Sequence, residues 1–248
     1  MDIINTDLSH TIFLDLANSD IKSADALLKI KEYPNAVYHF QQSVEKSCKY
    51  LGLTNRIFTF NELRKISHDP HKVFDMLFSS DLYTSIFTDN DYKSFKDEID
   101  KLTKDEIVEF CHNRIQTIIE NPHEDRIGKL ASDIVIDYYE NNPLSNNDSS
   151  IKELLKNVRR MRGYPKCESI CKQLIKRNDN IEICMSAQML MSFLVRGVEA
   201  NSRYPDENRI NPNDIYSEKS PLVQNLNYFI DKQKFCIDTL NNFYKPMQ

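Results

Sequence analysis

His39, Gln41, Glu45 and Lys46 fall within two helical turns of one segment, with Gln41 and Glu45 four positions apart. An imidazole, an amide, a carboxylate and an ammonium that close together form a compact patch of hydrogen-bond donors and acceptors, able to hold a polar or charged ligand. The same segment places Tyr33, Val37, Gln41, Val44, Cys48 and Leu51 at spacings of four and three, a mostly apolar stripe beside the patch. On periodicity alone, the polar residues read rather as the solvated face of an amphipathic helix. A second chemical feature is the run 151–177, in which nine Lys or Arg stand against two Glu in a chain of net charge −5. Such clustering neutralises phosphates and releases counterions, and Tyr164 adds a surface on which a base could stack. The alternatives are pairing with the acid-rich stretch 81–109, which has nine Asp or Glu against four Lys, or a solvated helix face.

The elements that must carry these residues are helical. The chain of 248 residues has four Gly and no Trp, and its 40% hydrophobic content suffices for a core. Periods of three and four dominate, so the sequence predicts an all-α fold. The first helix is expected over 6–30, with Ile12, Leu16, Ile21, Ala24, Leu27 and Leu28 as its apolar positions. The second spans 34–51, opened by Pro34, which a first turn tolerates, and ended by Gly52. A short helix over 62–65 precedes a third core helix over 70–77, with Asp69 as its N-cap. Further helices are expected over 107–119, 126–140, 181–199 and 223–243. The turn-rich run 141–150 reads as a linker.

No run of about 18 apolar residues occurs, and the N-terminus has neither a basic nor an apolar leader region, so a cytoplasmic location is expected. Six cysteines give no disulfide framework, and the Cys167/Cys171 pair has no second pair at zinc spacing, so no metal is implied.

The segment Ala36-Val-Tyr-His-Phe-Gln-Gln-Ser-Val-Glu-Lys-Ser-Cys-Lys49 resembles, almost position for position, the second helix of HEPN domains (higher eukaryotes and prokaryotes nucleotide-binding). Ile66-Ser-His-Asp-Pro-His-Lys-Val-Phe74 is similar to the Gly/Thr-His-Asp-Leu element that opens the family's third helix. Ala200-Asn-Ser-Arg-Tyr-Pro-Asp206 is similar to its late Arg-Tyr-Pro element. The resemblance covers about 8–78 and 181–244. It implies an up-and-down helical bundle formed by 1–79 and 179–248, with 80–178 as a helical insertion.

The resemblance also selects site residues. It points to His39, Gln41, Gln42, Glu45, Lys46, Asp69 and Tyr204 as ligand-binding, with Lys46 and Arg203 holding phosphate and His68 as the acid–base candidate. His68 and Arg203 are thus the catalytic candidates, while Arg159, Arg160, Arg162 and Lys166 are the nucleic-acid-binding candidates of the basic run. Many HEPN proteins are metal-independent ribonucleases in which an Arg-x(4–6)-His motif serves cleavage. Here the comparable spacing is Arg64 and His71, at the wrong place in the domain, and no His follows Arg196 or Arg203.

The expected function is therefore binding of a nucleotide, RNA or partner protein, in a toxin–antitoxin or phage-defence setting, with the partner protein encoded nearby. A divergent ribonuclease and a non-catalytic dimeric scaffold are the alternatives. No cofactor is implied, and the resemblance suggests a homodimer.

Overall fold

The computed structural model describes residues 4–79, 89–120, 130–141, 149–203 and 211–243. The expected linker positions 142–148, the start of the helix expected at 126, and Tyr204 lie outside these residues. Among the described residues every regular element is helical. In chain order they are α1 (Ile4–Lys29), α2 (Tyr33–Thr54), a 3₁₀ turn (Phe60–Glu62), α3 (Leu63–Ile66), α4 (His71–Phe78), α5 (Asp89–Ile99) and α6 (Lys104–Glu120). There follow α7 (Ala131–Asn141), α8 (Ser149–Arg160), α9 (Pro165–Leu194), α10 (Val198–Arg203), α11 (Pro212–Ile215) and α12 (Pro221–Phe243).

Helix α2 is the centre. It packs against α1, α4, α9, α10, α11 and α12, and 15 of its 22 residues are buried, so it cannot present one apolar stripe and one wet face. The predicted stripe is buried at Val37, Gln41, Val44, Cys48 and Leu51, with Phe40 and Ala36 buried beside it. On α1 the expected positions divide. Ile21 and Ala24 are buried, whereas Ile12 and Leu16 are 55% and 45% exposed because Leu14 and Ala17 occupy the inward face.

Gly52 does not end α2. The helix continues to Thr54, and the glycine is required by close approach: a Cβ there would lie 2.1 Å from Phe58 Cε1. Asp69 is likewise not the cap of α4, whose N-cap residue is Pro70. The Asp69 carboxylate instead pairs with Lys72 at 2.8 Å.

Among the described residues there are two hydrophobic clusters. The large one joins α1, α2, α4, the C-terminal half of α9 and α12, and it includes Tyr92 and Ile99 of α5 and Val108, Cys111 and Ile115 of α6. A smaller one is built from Ala131, Val135, Val158, Cys167, Cys171 and Leu174 of α7, α8 and the start of α9. The sequence-based division at 178/179 thus falls inside α9, a single 30-residue helix, and α5 and α6 pack into the main core rather than standing with an insertion. Among the described residues, 130–141 and 149–177 form the appended lobe, and α9 is the rod that links its core to the bundle.

Replacing Gly52 by Ala should lower the unfolding free energy by about 1–3 kcal/mol through overpacking. In a Phe58→Ala background the same change should be neutral or stabilising, since Ala exceeds Gly in helix propensity by about 1 kcal/mol. Urea denaturation measures both, and an equal cost in the two backgrounds would remove the steric account.

Candidate functional site

A buried polar side chain needs a partner, and α2 buries several. Gln41 and Glu45 are 0% and 3% exposed, so the polar patch is not a solvated face. Its members satisfy one another. Gln42 donates to Gln41 Oε1 at 2.7 Å, Gln41 donates to Glu45 Oε2 at 3.0 Å, and Lys49 donates to Glu45 Oε1 at 2.5 Å. Lys46 donates to Gln42 at 3.3 Å and to Asp20 of α1, whose other oxygen lies 2.9 Å from His39 Nδ1. His68 closes the edge, with Nδ1 3.3 Å from Glu45 Oε2 and its side chain 58% exposed. Ser67, at φ 52, occupies the left-handed region immediately before His68, a conformation that turns the chain into α4. Desolvating Glu45 is costly, and losing one partner would leave an uncompensated buried charge.

Deeper in the bundle a second network ties three helices. Ser47 donates to Gln188 Oε1 at 3.1 Å, Gln188 donates to Gln233 Oε1 at 2.7 Å, and Gln233 donates to Ser47 and Ser43 at 2.8 and 3.2 Å. Ser43 donates to the Ala17 carbonyl at 2.8 Å. Cys48 points its thiol at Gln188, and burial pushes that thiol well above its ordinary value, so it is not poised as a nucleophile.

A third cluster lies on α4, α5 and the end of α9. Tyr92 and Lys96 donate to Asp75 Oδ1 at 2.9 and 2.8 Å, and His71 Nε2 lies 4.0 Å from Asp75 Oδ2. His71 and Arg196 both rest on Phe193, the ring of His71 5.8 Å from its centroid and the Arg196 guanidinium carbon 5.2 Å from it. Arg196 donates to Asp100 at 2.5 Å. Burial, then the Arg196 charge, holds the His71 imidazole below its ordinary value, and its buried Nδ1 has no hydrogen-bond partner among the described residues. Arg196 Nε is also buried without an acceptor among the described residues.

His39, Gln41, Gln42, Glu45, Lys46 and His68 are brought together in the structure. The ammonium of Lys46, read there as a phosphate ligand, is instead engaged by Asp20 and Gln42. Asp69 sits outside the network, its carboxyl held below the usual range by the Lys72 ammonium. Arg203 is the last residue of α10, which packs on α2; its side chain and Tyr204 lie outside the described residues, as does the side chain of Arg64.

Arg159, Arg160, Arg162 and Lys166 belong to the appended lobe, not to this site. They are exposed there, with Arg159 paired to Glu140, and Arg162 forked onto Asp133 at 2.5 and 2.7 Å. Among the described residues, Arg159 and Arg162 of the basic run pair with acids of α7. Sequence reasoning missed Asp20, Lys49, Gln188, Gln233 and the meeting of His71 with Arg196. Lys49 carried a local signal, four positions after Glu45.

Among the described residues no group of three or more His, Cys, Asp or Glu is arranged to hold a metal ion, and no helix is long and apolar enough to cross a membrane.

The pattern that defines the HEPN domain matches residues 11–162, more than half of the chain, and the chain belongs to that family. The matched span extends over α5 to α8. A stretch of 46 residues is 44% identical to a protein of Methanocaldococcus jannaschii that bears the name "Putative toxin MJ1304", covering 18% of this chain and 30% of that protein. This chain therefore spans less than a third of the length of the curated relative it matches. No solved structure matches.

Because folding holds His71 below its ordinary value of 6.5, its contribution to stability is complete above that pH and is lost as pH falls toward the depressed value. Stability measured by urea denaturation should fall as pH drops below about 6.5. A His71→Phe variant should show a flatter profile over that window, and an identical profile would remove the assignment.

Proposed function

We propose that this HEPN protein is a toxin-like module that acts by binding RNA through its appended lobe. The exposed cations of α8 and α9 carry this reading. Lys152, Lys156, Arg159, Arg160, Arg162, Lys166, Lys172 and Lys176 all face solvent, beside Tyr164 at 62% exposure. The pairs to Glu140 and Asp133 lie at the solvent-exposed surface, where water and salt screen them, so a phosphate can compete with either carboxylate. Of the two glutamates in the run, Glu168 is already committed: it accepts from the Ser132 hydroxyl at 2.5 Å and from the Gly163 amide at 3.0 Å, pinning the α8–α9 turn to α7. The name of the M. jannaschii relative supports the toxin-like assignment. The saturated network on α2 supports binding over turnover, because its ionic groups already hold one another.

A second reading, a divergent metal-independent ribonuclease, is favoured by the meeting of His71 and Arg196 on Phe193. An imidazole held neutral can take the proton of a ribose 2′-hydroxyl, while a guanidinium stabilises phosphate charge.

Charge reversal at Arg159, Arg160 and Arg162 should weaken binding of single-stranded RNA of any sequence and reduce the salt slope by roughly 0.7 log units per lost contact. Unchanged affinity and slope would overturn the lobe as the RNA surface. In the same assay the RNA should remain intact. Accumulation of 2′,3′-cyclic ends that is abolished by His71→Gln would place the ribonuclease reading first, whereas loss in His68→Ala would return catalysis to the edge of α2.

Homodimerisation is part of the same proposal. Ile12 and Leu16, four apart and exposed on α1, give the bundle an apolar surface of the kind that a two-fold interface covers. Light scattering at micromolar concentration should give twice the chain mass of 29.1 kDa and fall toward it in an Ile12→Asp, Leu16→Asp variant. A monomer mass for the wild type would refute the dimer.

A further inference from the structure

Arg196 borders a cavity of about 220 Å³ that lies among α5, α6, α9, α10, α11 and the start of α12. The walls are apolar, formed by Ile99, Val108, Leu194, Ile215 and Leu222 with the Phe193 ring. A water-filled space of this composition gains free energy when an apolar body replaces the water. Into it come few polar groups. Arg196 presents a guanidinium whose Nη1 is committed to Asp100 but whose buried Nε–H has no acceptor among the described residues. Tyr216 is 5% exposed, and no hydrogen bond engages its hydroxyl among the described residues. Burial pushes that phenol up to about 12, so it stays a neutral O–H donor at physiological pH. Lys104 and Asp105, both exposed in the first turn of α6, stand at the rim with opposite charges. Two unused donors and one cation, set in an apolar chamber, ask for a single acceptor-rich anionic head on an apolar body.

We propose that this cavity binds a small carboxylate with a branched or aromatic body, the carboxylate accepting from Arg196 Nε and the Tyr216 hydroxyl. The volume admits a ligand of this size and not a long chain. A carboxylate suits the site because each oxygen can take one of the two donors, and because a charged acceptor satisfies a buried guanidinium N–H better than water or an amide does. Asp105 at the rim disfavours anions and Lys104 offsets it, so discrimination falls to the two inner donors. The site is separate from the basic faces of α8 and α9, and the proposal does not depend on RNA binding or cleavage.

The test uses the full chain without RNA. Benzoate, phenylacetate and isovalerate are titrated by calorimetry and ligand-observed NMR, with benzamide and phenylacetamide as neutral counterparts. At least one carboxylate should bind saturably and raise Tm with concentration, and its amide should bind at least about tenfold more weakly. Arg196→Gln should weaken the carboxylate by about tenfold or more, the loss of one charge-assisted hydrogen bond. Tyr216→Phe keeps the wall and removes the hydroxyl; it should retain the wild-type helical signal and weaken the carboxylate severalfold. Saturable binding by none of the three acids, equal affinity for acid and amide, or affinity untouched by Tyr216→Phe would each overturn the proposal.

Discussion

The bundle depends on the burial of Glu45. A carboxylate 3% exposed near the middle of α2 is tolerable when countercharge and donors are within reach, and Lys49, Gln41 and His68 supply them. Each supplier fixes something else. Lys49 and Gln41 lie on the same helix and hold the patch in register, Gln41 in turn orients Gln42, and Gln42 meets Lys46 and so Asp20 of α1. His68 brings the Ser67–Pro70 turn onto α2 and sets where α4 begins. The outer network is therefore a chain of partners that sets the placement of α1, α2 and α4, and the Ser47–Gln188–Gln233 network does the same for α2, α9 and α12. Side-chain amides at such positions specify one register where aliphatic side chains would tolerate several.

Helix α9 then joins two cores of unequal size. Its first turns supply Cys167, Cys171 and Leu174 to the lobe, and its last turns supply Cys184, Leu190, Met191 and Phe193 to the bundle. Because one uninterrupted helix serves both, a force on the basic corner has a direct mechanical route to Phe193, where His71 and Arg196 rest. Proximity along a rod is not coupling in itself. It does mean that the lobe and the third polar cluster share a rigid element.

What was legible in the sequence follows from what is local. The 3.6-residue period announced α2, and the spacing of four announced the contact of Gln41 with Glu45. Family resemblance added His68, which no spacing rule links to Glu45. Asp20, Gln188 and Gln233 were invisible because their partners lie 26, 141 and 186 positions away, where no periodicity applies. The boundary expected at 178/179 falls among Asn178, Asp179 and Asn180, weak helix formers, yet α9 runs through them. Gly52 read as a stop because glycine often follows a helix. Its actual role, making room for Phe58, is a tertiary fact.

The meeting of His71 and Arg196 shows why a spacing motif is a poor guide here. A linear Arg–His signature works when both residues sit on one turn or adjoining turns, so that sequence distance stands in for spatial distance. In this chain His71 opens α4 and Arg196 follows α9, and what brings them together is Phe193, on which both rest. The ring costs each group part of its hydration, which helps hold the imidazole below its ordinary value, and two nitrogens lack partners among the described residues. The α2 network spends its charges on one another, whereas this cluster keeps unused hydrogen-bonding capacity beside a cavity. Stability thus accounts for most of the polar residues on α2, and unsatisfied chemistry lies one helix away from where the sequence placed it.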